Sequence, residues 1–259
     1  MNTLFDLLLA PFAVLSPIWG LTLISALAGV VLVLLYGRVS NQRKLREVKR
    51  AIGAALYESI LFRRDLGVSL RAQARMLKGA GHYFVLALPP LAILLVPCIL
   101  LLAQLQVRYG VRPLTPSEST VVAVKLTDSQ PLKGLALQTD GSIEATAPVR
   151  IPSLHESIWR ITPHSTGTFN ISIPAVEITQ PIEVGQEVVR LRPLTSRSFW
   201  DTLLYPSDLT LPPLIESIEV AYPERSYAPF GVTMHWVIMF FLISLASGLV
   251  AAKVFHIEV

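Results

Sequence analysis

Residues Arg38 to Lys78 read RVSNQRKLREVKRAIGAALYESILFRRDLGVSLRAQARMLK. This stretch holds 11 of the 22 Lys and Arg residues against three acids, Glu47, Glu58 and Asp65, a local balance of +8 in a chain whose total is +4. Apolar runs flank it on both sides. Pro17 to Tyr36 is a 20-residue run without charge, and Tyr83 to Gln106 is a 24-residue one. A third, Phe230 to Ala252, spans 23 residues with His235 as its one titratable side chain. Each reaches the roughly 20 residues that about 30 Å of hydrocarbon requires. An apolar content of 52%, a charged content of 15% and a mean hydropathy of +0.55 exceed what a soluble globule carries. The expectation is a membrane α-helical protein with three transmembrane helices.

Lys and Arg are retained on the cytoplasmic side of a bilayer, so the block fixes the sidedness of the rest. No Lys or Arg precedes Arg38. The N-terminus is therefore expected outside, the hairpin (37–82) and the tail (253–259, after Lys253) inside, in a bacterial inner membrane. The segment 1–16 lacks the positive start of a signal peptide and is expected to be an uncleaved interfacial helix bent at Pro11. Small residues in the first run, Gly20, Ser25, Ala28 and Gly29, allow another helix to approach closely.

Within the basic block, Leu45, Val48, Ile52, Ala55 and Phe62 follow three-and-four spacing. After a turn near Arg63 to Asp65, Leu66, Leu70, Gln73 and Leu77 continue it. This predicts two antiparallel helices, a coiled-coil-like hairpin. Its other faces carry Arg43, Lys44, Arg46, Arg50, Arg71, Arg75 and Lys78. They form either a solvated, topology-setting face or a contact surface for membrane lipids, ribosomal RNA or an acidic partner. The high pI, about 9.3, comes from this one segment and does not point to specific DNA binding. Pro89, Pro90 and Pro97 predict a kinked second helix facing protein, because each removes a backbone donor. Gln104 and Gln106 close its outer end.

From 107 to 229 the balance changes to 10 basic and 13 acidic residues. Short β-like runs appear at 120–126, 135–139, 158–162, 168–173, 188–191 and 215–221, broken by Pro, Gly, Asp and Ser. They predict an exterior all-β domain, an immunoglobulin-like sandwich. Phe199, Trp200, Leu203, Leu204 and Tyr205 form a candidate short amphipathic helix, either on the outer membrane face or packed on the sandwich. Glu216 and Glu219, three apart on a regular strand, would face opposite sides.

No catalytic constellation is legible. The five histidines include no i, i+4 pair, no phosphate-cradling loop appears, and the single Cys98 sits inside an apolar run. No cofactor, metal or enzymatic activity is expected.

The order of outside N-terminus, first span, basic helical hairpin, second span and third span resembles the YidC-type membrane insertase superfamily, above all its minimal three-span members. The match runs from Leu21 through Val107, carried by Ser40-Asn41-Gln42-Arg43-Lys44-Leu45 and Val48-Lys49-Arg50, and includes the last span: about half the chain. Ile218-Glu219-Val220-Ala221-Tyr222-Pro223-Glu224-Arg225, before the last span, is similar to a stretch in bacterial membrane proteins without an assigned activity. The resemblance implies a hydrophilic groove that eases polar parts of a nascent segment into the bilayer, walled here by groups such as Thr22, Ser25, Ser244 and Ser247. Nascent membrane proteins or the ribosome would be the partners. Two departures stand out. Family members in bacteria typically place an arginine in the groove, whereas Arg38 lies only at the inner end of the first run, and the 123-residue β region is not part of the minimal plan. The alternative is a structural or scaffolding subunit of a larger inner-membrane complex, with the β domain docking an exported partner. Protease added to sealed inside-out vesicles is expected to cut within 38–78 and spare 107–229. The opposite cleavage pattern would reverse the topology.

Overall fold

The computed structural model describes residues 2–127, 135–139 and 141–258. Met1, 128–134 and 140 within the expected β region, and Val259 lie outside the described residues. Six α-helices are present in it: α1 (Asn2–Ala13), α2 (Pro17–Val39), α3 (Gln42–Leu61), α4 (Leu66–Leu105), α5 (Phe199–Leu204) and α6 (Trp236–Val254). Three of them, α2, α4 with the π-helical turn Gln106–Gly110 that prolongs it, and α6, are long and apolar enough to cross a membrane. Pro11 lies inside α1 and the expected bend there is absent, because helix continues to Ala13. The second arm of the hairpin and the second apolar run are one helix, α4, unbroken for 40 residues and containing Pro89, Pro90 and Pro97.

The chain forms two compact units. One comprises Ile24–Cys98 with Phe240–Val259, the other the chain up to Leu23 with Ile99–Met239.

In the second of these, nine strands among the described residues make two antiparallel sheets. They are β1 (Thr120–Leu126), β2 (Gln138–Thr139), β3 (Ile143–Ala145), β4 (Val149–Ile151), β5 (Glu156–Pro163), β6 (Gly167–Ile173), β7 (Ile178–Val184), β8 (Leu194–Ser196) and β9 (Ile215–Val220). The larger sheet runs β3-β5-β1-β9-β8 with β4 also on β5, and the smaller runs β2-β6-β7. Alternation explains the pairing of faces. Val122, Val124 and Leu126 of β1, with Trp159 and Ile161 of β5, enter the same core as Ile171 and Ile173 of β6 and Ile182 of β7. The β1 bounds match expectation, while β7 has no sequence-based counterpart because Pro181 interrupts its run. Pro is tolerated there since β7 is an edge strand. Residues 188–191 form no strand, yet Leu191 is buried and its N–H donates to the Val107 carbonyl at 2.8 Å. The register of β1 against β9 shifts between Lys125 and Leu126, so Glu216 has no opposite number. Both Glu216 and Glu219 are consequently exposed, which a regular strand does not allow, and Glu216 pairs with Lys125 at 2.9 Å.

The same unit holds a polar cluster at the end of α4. Arg108 is buried and donates to the Gln104 carbonyl at 3.0 Å and to Gln104 Oε1 at 2.6 Å. Its guanidinium also pairs with Asp6 of α1. Asp6 accepts in turn from Arg190 at 3.0 Å, and Arg190 pairs with Asp208. Gln104 is thus a buried scaffold for Arg108, and Gln106 accepts from Trp236 Nε1 at 3.0 Å. Between this cluster and β1, Arg112 grips Glu118 through two bonds of 2.7 Å, while the Thr115 N–H and Oγ1 donate to the same carboxylate at 2.9 Å each.

These donors, the Arg112 fork first, hold the Glu118 carboxyl at about 2 instead of 4.5. A depressed carboxylate stabilises fully above its ordinary pKa and loses that contribution as pH falls. Acid unfolding of the detergent-solubilised chain is therefore expected to steepen from about pH 4.5 down to about 2. Glu118→Gln is expected to flatten that limb and to cost about 1–2 kcal/mol at neutral pH. Unfolding followed against pH by tryptophan fluorescence checks both.

Candidate functional site

The basic hairpin belongs to the other unit. Its first helix begins at Asn41, whose Oδ1 accepts the Lys44 N–H at 3.1 Å, a side-chain cap on an otherwise orphan donor. Its turn falls where the sequence places it. Asp65 Oδ1 accepts the N–H groups of Gly67 and Val68 at 3.0 and 3.1 Å and so opens α4.

The seam between the arms differs from the expected one. On α3, Leu45 and Ala55 are buried and Val48 and Ile52 half-buried, as the spacing predicts, whereas Phe62, expected on the same stripe, is exposed. On α4 the expected residues Leu66, Leu70, Gln73 and Leu77 are exposed, and Ala72, Met76 and Gly79 face inward instead. The reason is close approach: a Cβ on Gly79 would lie 2.7 Å from Ile52 Cγ1, and the Ser59 and Ser69 hydroxyls meet at 3.4 Å. Small side chains thus make the seam, and large apolar ones are displaced outward. Tyr57 is 75% exposed, Leu61 77%, Leu66 75% and Leu77 75%, with Ile60 and Leu70 also exposed. By helical spacing the α3 group and the α4 group each point away from the seam, on the outer sides of the two arms.

Both arms also carry cations. Arg43 is exposed and pairs with Glu47 at 3.3 Å, Lys44 is exposed, and Arg71 and Lys78 are exposed. Arg75 is held by Glu58 at 2.5 Å. Arg46 pairs with Glu258 at 3.4 Å, and Arg50 lies on the wall of a cavity beside the tail.

The root of the hairpin is closed by that tail, a contact the sequence did not suggest. The N–H of Glu258 donates to Gln42 Oε1 at 2.7 Å, and Gln42 Nε2 donates to Ser40 Oγ at 2.5 Å. Ile257 fills the space beside Gly37, where a Cβ would come within 2.8 Å of its Cδ1. It packs with the cluster of Tyr36, Leu45 and Leu94. Lys49 Nζ donates to Glu258 at 2.9 Å, and this bond is the main cause that lowers the Glu258 carboxyl below its ordinary range.

The four residues suggested as a groove wall are bonded or buried. Thr22 donates to the Ile18 carbonyl at 2.7 Å, Ser244 to the Phe241 carbonyl at 3.2 Å and Ser247 to the Ser244 carbonyl at 3.1 Å, each within its own helix. Ser25 is fully buried. Gly29 of α2 sits directly against Ser244 and Ser247 of α6. An open groove of about 640 Å³ does run along α6, but Ser247 is its one hydroxyl, among apolar neighbours such as Val30, Leu242, Val250 and Val254. Among the described residues no three His, Cys, Asp or Glu side chains converge as a metal site.

Compared with known proteins, the chain matches no family model, no curated protein and no solved structure.

The glycines supply a paired test. Gly29→Ala drives a Cβ into the Ser244 carbonyl and the Ser247 hydroxyl, and is expected to destabilise by about 1–3 kcal/mol. Gly53→Ala, in the interior of α3 with nothing within 4 Å of its built Cβ, is expected to stabilise by about 0.5–1 kcal/mol through helix propensity. Thermal melts in one detergent compare the two.

Proposed function

We propose that this chain is an insertase-like membrane-protein biogenesis factor, with α2, α4 and α6 as its transmembrane helices, the hairpin in the cytoplasm and an immunoglobulin-like sandwich outside. The observation that carries the reading is the exposure of large apolar side chains on the outer sides of both hairpin arms, Tyr57, Ile60 and Leu61 on α3 and Leu66, Leu70 and Leu77 on α4. A nascent hydrophobic segment leaving water for such side chains gains about 25 cal/mol per Å² of apolar surface covered. The flanking Arg71, Arg75 and Lys78 suit an acidic or RNA-bearing partner such as a ribosome.

The same helix leads from this receiving face into the bilayer. In α4, Pro89, Pro90 and Pro97 have no N–H to donate to the carbonyls of Val85, Leu86 and Ile93, four residues earlier. Val85, Pro89, Ile93 and Pro97, four apart, are all exposed. Of the most apolar window of this helix only 11% is buried. Backbone acceptors without a helix donor are costly in hydrocarbon and attract any donor that passes. A polar side chain crossing beside them recovers part of the few kcal/mol that its insertion otherwise costs. This acceptor stripe takes the place of the groove arginine expected from the insertase resemblance.

The test is insertion of an in vitro translated single-span client with a short polar exterior tail into proteoliposomes containing the purified chain. Protection of the tail from protease reports insertion. The triple substitution Leu66→Ser, Leu70→Ser and Leu77→Ser is expected to lower it several-fold while changing stability by less than about 0.5 kcal/mol per site, since all three are exposed. Equal insertion with and without the chain would refute the proposal. Stoichiometric copurification of membrane partners in place of clients would favour the scaffolding role.

A further inference from the structure

A cavity of about 470 Å³ lies where α6 ends, walled by Arg46, Lys49 and Arg50 of α3 and by Lys253, His256 and Glu258 of the last turn and tail. Four Lys or Arg side chains thus share one cavity with one carboxylate. Glu258 engages Lys49 at 2.9 Å and Arg46 at 3.4 Å. Among the described residues neither Arg50 nor Lys253 has a carboxylate within ion-pair distance. Like charges confined in one cavity repel, and a bound anion relieves that repulsion.

The backbone holds the cavity open. Ile257 N–H reaches back to the Ala252 carbonyl at 2.9 Å, and His256 adopts φ +54. Together these form a Schellman cap with His256 in the left-handed position that glycine usually fills. The cap turns the chain sharply at the foot of α6, so that Glu258 and the imidazole of His256 join the wall. Ala252 and Ile257 add apolar surface beside the cations.

We propose that this cavity binds the phosphate of an anionic phospholipid of the inner leaflet. The inference rests on reading α6 as a membrane helix, which sets its last turn at headgroup depth, where phosphate is the abundant anion and an apolar flank is compatible with the adjoining glycerol and acyl carbons. Neither the receiving face of the hairpin nor any insertion step is involved.

Binding is measured on the full chain in neutral detergent, as the rise in melting temperature on titration with phosphatidylglycerol, with phosphatidylcholine and inorganic phosphate as separate arms. Phosphatidylglycerol is expected to stabilise saturably, phosphatidylcholine not at all, and inorganic phosphate only at far higher concentration. Arg50→Gln with Lys253→Gln is expected to weaken the lipid effect at least ten-fold. His256→Gly, which keeps and relaxes the left-handed turn, is expected to weaken it less while leaving the lipid-free melting temperature equal or higher. Arg63→Gln with Arg64→Gln, exposed basic positions at the hairpin turn, is expected to leave it unchanged. Equal stabilisation by phosphatidylcholine, saturation by inorganic phosphate at the same concentration, or equal loss in the Arg63 and Arg64 variant would overturn the proposal. The readout needs no vesicle and no client, so failure of the insertion assay leaves it standing, and its own failure leaves the insertase reading intact.

Discussion

Close approach between helices is the constraint on which most of this molecule depends. Two helices come within reach of each other's backbone only where small residues line the contact. Gly29 against Ser244 and Ser247, Gly37 against Ile257, and Gly79 against Ile52 are three instances within one unit. Each brings backbone and side chain nearer than an added Cβ would tolerate. On the hairpin part of α4 the consequence is a reversal of the usual arrangement: small side chains occupy the seam and large ones the surface.

That reversal explains what the sequence revealed and what it concealed. The turn at Arg63 to Asp65, the apolar positions Leu45, Val48 and Ile52 of α3, and the limits of β1 follow directly from spacing and turn chemistry. The facing side of α4 does not. Leu66, Leu70, Gln73 and Leu77 keep a helical period as good as that of Ala72, Met76 and Gly79, and periodicity weighs size and apolarity without knowing which stripe permits the closer contact. A hint was present in the excess of large apolar residues, more than one seam between two helices can cover. Beyond the hairpin, Pro181 concealed β7 because edge position is a property of the sheet and not of the strand. The partnership of Gln42 and Lys49 with Glu258 was invisible for a simpler reason: more than 200 residues separate its halves.

The two units handle charge differently. In the unit with the sheets several charges are paired, Asp6 between Arg108 and Arg190, Glu118 in the fork of Arg112, Glu216 on Lys125, while Arg192 Nε and Arg225 Nη2 are buried without a hydrogen-bond partner among the described residues. Burial of Arg190 lowers its pKa while Asp6 opposes that shift, which is what a structural pair at the edge of a core does. In the hairpin unit, among the described residues, Glu47 pairs with Arg43, Glu58 with Arg75, and Glu258 with Arg46 and Lys49, while the remaining cations are in no ion pair.

Forty residues of uninterrupted helix make α4 a rod of about 60 Å. Its three prolines all fall in the second half, so the carbonyls from Leu66 to Phe84 each have an N–H four residues on while those of Val85, Leu86 and Ile93 do not. Bending is cheapest where rungs are missing. The rod is therefore stiffest from the hairpin tip to Phe84 and most compliant between Val85 and Pro97. Mechanical compliance in this helix is set by three absent protons.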